Sequence, residues 1–160
     1  MPDARLYDTD FYAWTQEQAA TLRRMAEARV NTELDLEHLA EEVESLGNSD
    51  VNALASDLSR VIEHLLKLEH SPASDPRRNW MLSVVEHRGR AQRAAENSGS
   101  LRRMLPGLLP NAWKYGRRSA AKAMELFDGF DPATLPAECP YTLEQILDDD
   151  FWPASRHGLG

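Results

Sequence analysis

LDLEHLAEEVESLG, Leu34 to Gly47, is the stretch whose reading decides the fold of this chain. Asp35 suits an N-cap, since its short carboxylate can accept a backbone N–H of the first turn. Leu34 and Leu39 hold the two ends of a hydrophobic staple. Leu36, Leu39, Ala40, Val43 and Leu46 recur at helical spacing, and Gly47 can take the left-handed conformation that ends a helix. On a wheel of about 100° per residue, Glu37, His38 and Glu41 point away from the apolar stripe. Glu42 and Glu44 flank it, so Glu42 is the carboxylate expected to be half buried.

Helices are also expected on both sides. Asp8 to Arg29 reads as one, with Asp8 or Thr15 as cap and Phe11, Trp14, Ala19, Leu22, Met25 and Ala26 inward. Only Gly47 and Asn48 separate the acidic helix from the next cap, Ser49, which predicts an antiparallel hairpin into a third helix, Asp50 to His70. Asp75-Pro76 restarts the chain as a fourth helix reaching Asn97, with Trp80, Met81, Val84 and Val85 inward and Arg88 in the middle of the apolar arc. Ser98 or Ser100 caps a short segment, Leu101 to Leu105, which Pro106 and Pro110 interrupt. A fifth helix then runs from Pro110 to Phe127, with Trp113, Met124 and Phe127 inward. Thr142 and Gln145 have the spacing of a capping box for a last short helix closed by Trp152-Pro153. The expected fold is all-α, an antiparallel bundle of five to six helices in a single domain, 1–160. A proline-rich C-terminal tail wraps the bundle, and residues 154–160 are expected to be disordered.

The chain has 160 residues and a net charge of −8. No run approaches the ~18 apolar residues of a membrane span. The start, MPDARLYDTD, has neither a basic nor an apolar leader region, so a cytoplasmic location is expected. The single cysteine, Cys139, cannot form an internal disulfide and reads as a small hydrophobe.

Charge is distributed in blocks. Val30 to Ser59 holds eight acids and no Lys or Arg, whereas Arg77 to Arg118 holds ten basic residues and two acids. Packing the blocks together neutralises both. The sharper alternative is a phosphate-binding face of Arg77, Arg78, Arg90, Arg93, Arg102, Arg103, Arg117 and Arg118, but the acidic balance and the lack of interleaved aromatics make nucleic acid the weaker expectation. Arg88 cannot lose its charge, so its burial calls for a partner. At ~1.5 Å per residue, Asp57 lies roughly 12 Å and Glu42 roughly 7 Å from the turn at Gly47, against roughly 13 Å for Arg88. A buried ion cluster of Arg88 with Asp57, Glu42 or both is therefore expected.

Several patterns, in order along the chain, have a familiar look: DFYAW (Asp10–Trp14), LAEEVESLG (Leu39–Gly47), EHLLKL (Glu63–Leu68), the Trp80 helix with Arg88, SLRRML (Ser100–Leu105) and CPYTLEQILDDDFWP (Cys139–Pro153). Together they resemble the bacterial family known as domain of unknown function twenty-nine. Ser71-Pro72 and His87-Arg88 depart from it, standing where glutamine would precede the proline and the arginine. The resemblance implies a small all-helical cytoplasmic domain and brings no activity, substrate or catalytic residue.

Di-iron bundles carry a Glu-x-x-His pair on each of two helices, and this sequence contains none. His38 with Glu42 has ligand spacing and His64 could join them, which defines the enzyme alternative, a metal-dependent hydrolase. No glycine-rich phosphate loop and no G-x-S-x-G elbow is present. The reading is a non-catalytic protein-interaction or regulatory module with no cofactor and an unassigned protein partner. A homodimer through a leftover strip of Leu101, Leu105, Leu108 and Leu109 is one form it could take.

Overall fold

The computed structural model describes residues 5–160. Among them all regular structure is helical. The elements are α1 (Leu6–Thr9), α2 (Phe11–Glu27), α3 (Leu36–His70), α4 (Arg77–Asn97), α5 (Gly99–Asp128), a 3-10 turn (Pro132–Thr134) and α6 (Leu143–Leu147). The chain divides into two compact units. The first extends to Ala53 and takes in Ala94–Met104; the second is Leu54–Arg93 with Leu105–Gly160.

In the first unit Asp10, rather than Asp8 or Thr15, starts the long N-terminal helix, accepting from Ala13 N at 3.1 Å. Its carboxylate also takes Ser98 Oγ at 2.7 Å, Ser100 N at 2.9 Å and Ser100 Oγ at 2.7 Å. Ser98 Oγ in turn accepts from Leu101 N at 3.1 Å, capping α5. One carboxylate thus ties the start of α2 to the start of α5. Burial pushes the Asp10 carboxyl up, and these hydrogen bonds outweigh it, leaving it below the ordinary value.

The expected hairpin at Gly47 does not form, and α3 runs unbroken through Gly47, Asn48 and Ser49. A glycine inside a helix costs about 1 kcal/mol in propensity, so its presence needs a packing reason. A Cβ at Gly47 would collide with Thr15 Oγ1 and lie 3.0 Å from Gln16 Nε2 and 3.2 Å from Tyr12 Cδ2. Thr15 is fully buried and its hydroxyl donates to Tyr12 O at 2.6 Å, so it is not free to yield. Gly47 therefore serves close approach of α2 to α3. On the same stretch of α3, Leu36, Ala40 and Gly47 are buried, whereas Leu39 and Leu46 are exposed.

The second unit has its core in Leu54, Leu58, Val61, Ile62, Leu65 and Leu66 of α3, Val84 of α4, Ala112, Ala120 and Met124 of α5, and Ile146 of α6. Gly116 repeats the Gly47 device: a Cβ there would lie 2.7 Å from Ser59 O and 3.0 Å from Ile62 Cγ2. Pro106 and Pro110 were expected to break α5 and are accommodated inside it. Arg102, Pro106 and Pro110 share one exposed strip at i, i+4 and i+8, so the carbonyls that the prolines leave unpaired face solvent. Phe127, Met81 and Val85, expected inward, are exposed. In the expected disordered tail, Arg156 N donates to Glu69 O at 2.8 Å and His157 Nε2 bonds His70 O at 2.8 Å, closing the last turn of α3.

Gly116→Ala should lower stability by ~1–3 kcal/mol through overpacking against backbone. Gly107→Ala, where no atom lies within 4 Å, should raise it by up to ~1 kcal/mol. Chemical denaturation of the two variants checks the opposite signs.

Candidate functional site

Arg88 is the largest fully buried side chain, at 1 % exposure, and it is held without a carboxylate bond. Its Nε donates to Ile146 O at 2.8 Å, and its Nη2 donates to Gln145 O at 3.3 Å and Phe151 O at 3.2 Å. Trp152 lies against the guanidinium, 5.3 Å from ring centroid to Cζ. Gln92, one turn along α4, donates Nε2 to Leu147 O at 2.7 Å and to Asp149 Oδ1 at 2.9 Å. The last carbonyls of a helix have no partner within it and carry its negative end, so a cation there supplies both hydrogen bonds and charge. Burial lowers the guanidinium pKa, and Asp149 and Asp148 act against that shift.

The cluster expected from the sequence, Arg88 with Asp57 and Glu42, therefore takes another form. Arg88 is buried as expected, but its partners are main-chain oxygens of the C-terminal segment. Asp57 accepts from His87 Nδ1 at 2.8 Å, and Glu42 is exposed in the first unit. Register along α3 and α4 could not reveal a partner from a third segment. Two signals could have done so: Arg88 and Gln92 one turn apart, and the capping box that starts α6 just ahead of the acids Asp148 and Asp149. That box forms, with Gln145 N bonded to Thr142 Oγ1 at 3.1 Å and Thr142 N to Gln145 Oε1 at 3.0 Å.

Two further ionic groups belong to the second unit. Glu63 is buried between Lys67 Nζ at 3.1 Å and Arg60 Nη1 at 2.9 Å, and Lys67 lies 5.9 Å from the centroid of Trp80. Burial raises the Glu63 pKa, and Lys67, His64 and Arg60 reverse that, holding it below the ordinary value. At the end of α3, Glu69 accepts from Tyr141 Oη at 3.3 Å and Arg156 Nε at 3.2 Å. His70 Nε2 lies 2.9 Å from Glu69 Oε2 without a hydrogen bond between them. Burial raises the Tyr141 phenol and the half-buried Cys139 thiol, so neither favours a reactive anion.

The candidate metal ligands do not assemble. His38 Nδ1 bonds Asp35 at 2.6 Å, Glu42 is exposed, and His64 Nδ1 bonds Arg60 O at 2.9 Å. No group of three or more His, Cys, Asp or Glu among the described residues is placed to hold an ion. Several of the arginines have internal partners: Arg77 donates to Leu68 O, Arg90 pairs with Glu86, and Arg117 donates to Pro136 O and Leu135 O. The leucine strip is half consumed by the interior, since Leu101 and Leu105 are buried and Leu108 and Leu109 only partly exposed.

Two open clefts lie on α5. A cleft of about 770 Å³ runs beside Trp113, Lys114, Arg117, Arg118 and Lys122. A second, of about 490 Å³, shares Arg118 and Lys122 and adds Tyr115, Ser119, Leu126 and Phe127. Phe127 is 83 % exposed and Leu126 64 %. Arg118 has no ion-pair partner among the described residues, and Lys122 has only Glu125 at 3.5 Å. Here the periodicity misled: Phe127 continues the inward row of Met124, yet it lies at the last turn, beyond the packed part of the helix.

An all-helical chain that pairs most of its buried charges internally and leaves an aromatic and cationic helix face open is the class these features define. The chain belongs to the family described as Domain of unknown function DUF29, whose model matches residues 6–152. Its fold is similar to that of an alpha-helical protein of unknown function from Rhodospirillum rubrum, with a TM-score of 0.77, 24 % identity and 93 % of each chain covered. No curated protein matches. No helix among the described residues is long and apolar enough to cross a membrane.

Arg88→Met should strand the last-turn carbonyls of α6 and lower stability by roughly 2–4 kcal/mol. Arg88→Lys should recover little, lacking the planar fork. Denaturant melts give the size, and faster amide exchange in α6 gives the location.

His64 and His70 are both held below the ordinary imidazole value of 6.5, burial being the first cause. The unfolded chain then binds more protons, so the stability they contribute is complete above pH 6.5 and is lost as pH falls below it. Glu63 has the same sign below its ordinary value of 4.5. His38, raised by Asp35, acts oppositely but is fully exposed and screened. The melting temperature should fall between about pH 7.5 and about pH 5.5, and the variants His64→Gln and His70→Gln should flatten that fall.

Proposed function

We propose that this chain is a non-catalytic protein-interaction or regulatory module of the bacterial cytoplasm, and that the α5 face from Tyr115 to Phe127 is its docking surface. The observation that carries the reading is the exposure of Phe127, Leu126 and Tyr115 together. Contiguous exposed apolar groups beside polar ones mark surfaces that another molecule covers. Arg118 and Lys122 add direction, since an unpaired cation beside one held only by the exposed Glu125 at 3.5 Å favours a partner bearing acids. The perturbed groups support a quiet interior: Glu63, His64, His70 and Arg88 each meet a structural neighbour, and the Cys139 thiol is pushed up.

Short links between long helices favour an antiparallel bundle forming a single domain, and the hold of Arg88 on residues 145–151 supports a C-terminal segment laid over α4. A homodimer fits this reading only through a surface other than Leu101 and Leu105. Immobilised chain, exposed to lysate of its native host, should retain a defined protein that the Phe127→Asp chain, with an unchanged melt, releases. Equal retention by both would remove α5 as the docking surface.

A further inference from the structure

We infer that the occupant of the α5 face is the acidic leucine strip of α3 from a second copy of this chain. The inference rests on the reading of α5 as a docking surface and adds the partner. Leu39 and Leu46 are both solvent-exposed although each belongs to a helix with a buried side. They lie seven residues apart, about 10 Å along the axis, with Glu42 between them on the same strip. Glu42 is exposed and makes no ion pair or hydrogen bond among the described residues.

The α5 face has the same pattern with the opposite charge. Tyr115, Ser119, Lys122 and Leu126 follow one another at helical spacing, over about 17 Å, with Arg118 alongside. Each strip is thus apolar at its ends and charged in its middle, acidic on α3 and basic on α5. Both are left open by the fold, and each offers what the other lacks. Laying one on the other buries apolar ends while pairing Glu42 with Lys122 or Arg118. Like strips cannot do this, because α3 on α3 places acid on acid and α5 on α5 places base on base. Because the two strips are different surfaces, each copy can offer α3 to one neighbour and receive another on α5, a heterologous contact.

Sedimentation of the full chain at rising concentration tests this. The expected result is a mass above the 18.1 kDa of one chain at low salt, falling towards it as salt is raised. A chain with Arg118→Glu and Lys122→Glu should sediment as a monomer, and so should one with Glu42→Lys, each with unchanged helicity and melt. Mixing the two should restore association, because every remaining contact then pairs opposite charges. Leu46→Glu, the loss of an apolar end on the same strip, should also give a monomer. Unmodified chain staying at 18.1 kDa at all concentrations overturns the inference, as does association that these substitutions leave intact or a mixture that stays monomeric. If the chain is a monomer yet loses a host protein on Phe127→Asp, self-docking falls while the docking role of α5 stands.

Discussion

Arg88 sets the terms for the second unit. A guanidinium at 1 % exposure must find acceptors on site, because it cannot shed its proton and water cannot reach it. It finds them in the oxygens of Gln145, Ile146 and Phe151. A helix of only five residues such as α6 has little stability of its own, so its existence depends on being docked. The buried cation and the short helix are each untenable alone; docking gives acceptors to Nε and Nη2 of Arg88, while its buried Nη1 stays without a hydrogen-bond partner.

The same solution recurs at the end of α3. Its last carbonyls, at Leu68, Glu69 and His70, receive Arg77 Nη1, Arg156 N and His157 Nε2. The ends of α3 and α6 are thus closed by groups from other segments, whereas α5 ends locally, with Gly129 left-handed (φ 62°) and Phe130 N donating to Met124 O at 3.2 Å. The consequence is that residues after α5, irregular for much of their length, are ordered by the helices they close. Gly47 and Gly116 instead act inside helices, where a missing Cβ lets α2 reach α3 and α5 reach α3.

With the interior charges answered, the surface carries the remaining information. Exposed acids and leucines on α3 and exposed cations and aromatics on α5 are what packing did not use. Such surplus is where a chemically quiet helical domain can act, since recognition needs only complementary apolar area and charge.

Helical periodicity, caps and breakers by themselves determined that this chain is all-helical, where α2 and α4 lie, that Thr142 and Gln145 open α6, and that Arg88 is buried. These are local signals, set by contacts within a few residues. Only the tertiary structure decided that Gly47 joins two expected helices into α3, that Pro106 and Pro110 sit within α5, that Asp10 caps α2, and that carbonyls rather than Asp57 and Glu42 receive Arg88. A glycine or proline weighs against a helix by about 1–3 kcal/mol, and burial of a long apolar face against neighbouring elements exceeds that. The acceptors for Arg88 are backbone oxygens, which every residue carries, so residue type does not mark them and only the Arg88–Gln92 spacing and the α6 capping box point to the segment that supplies them.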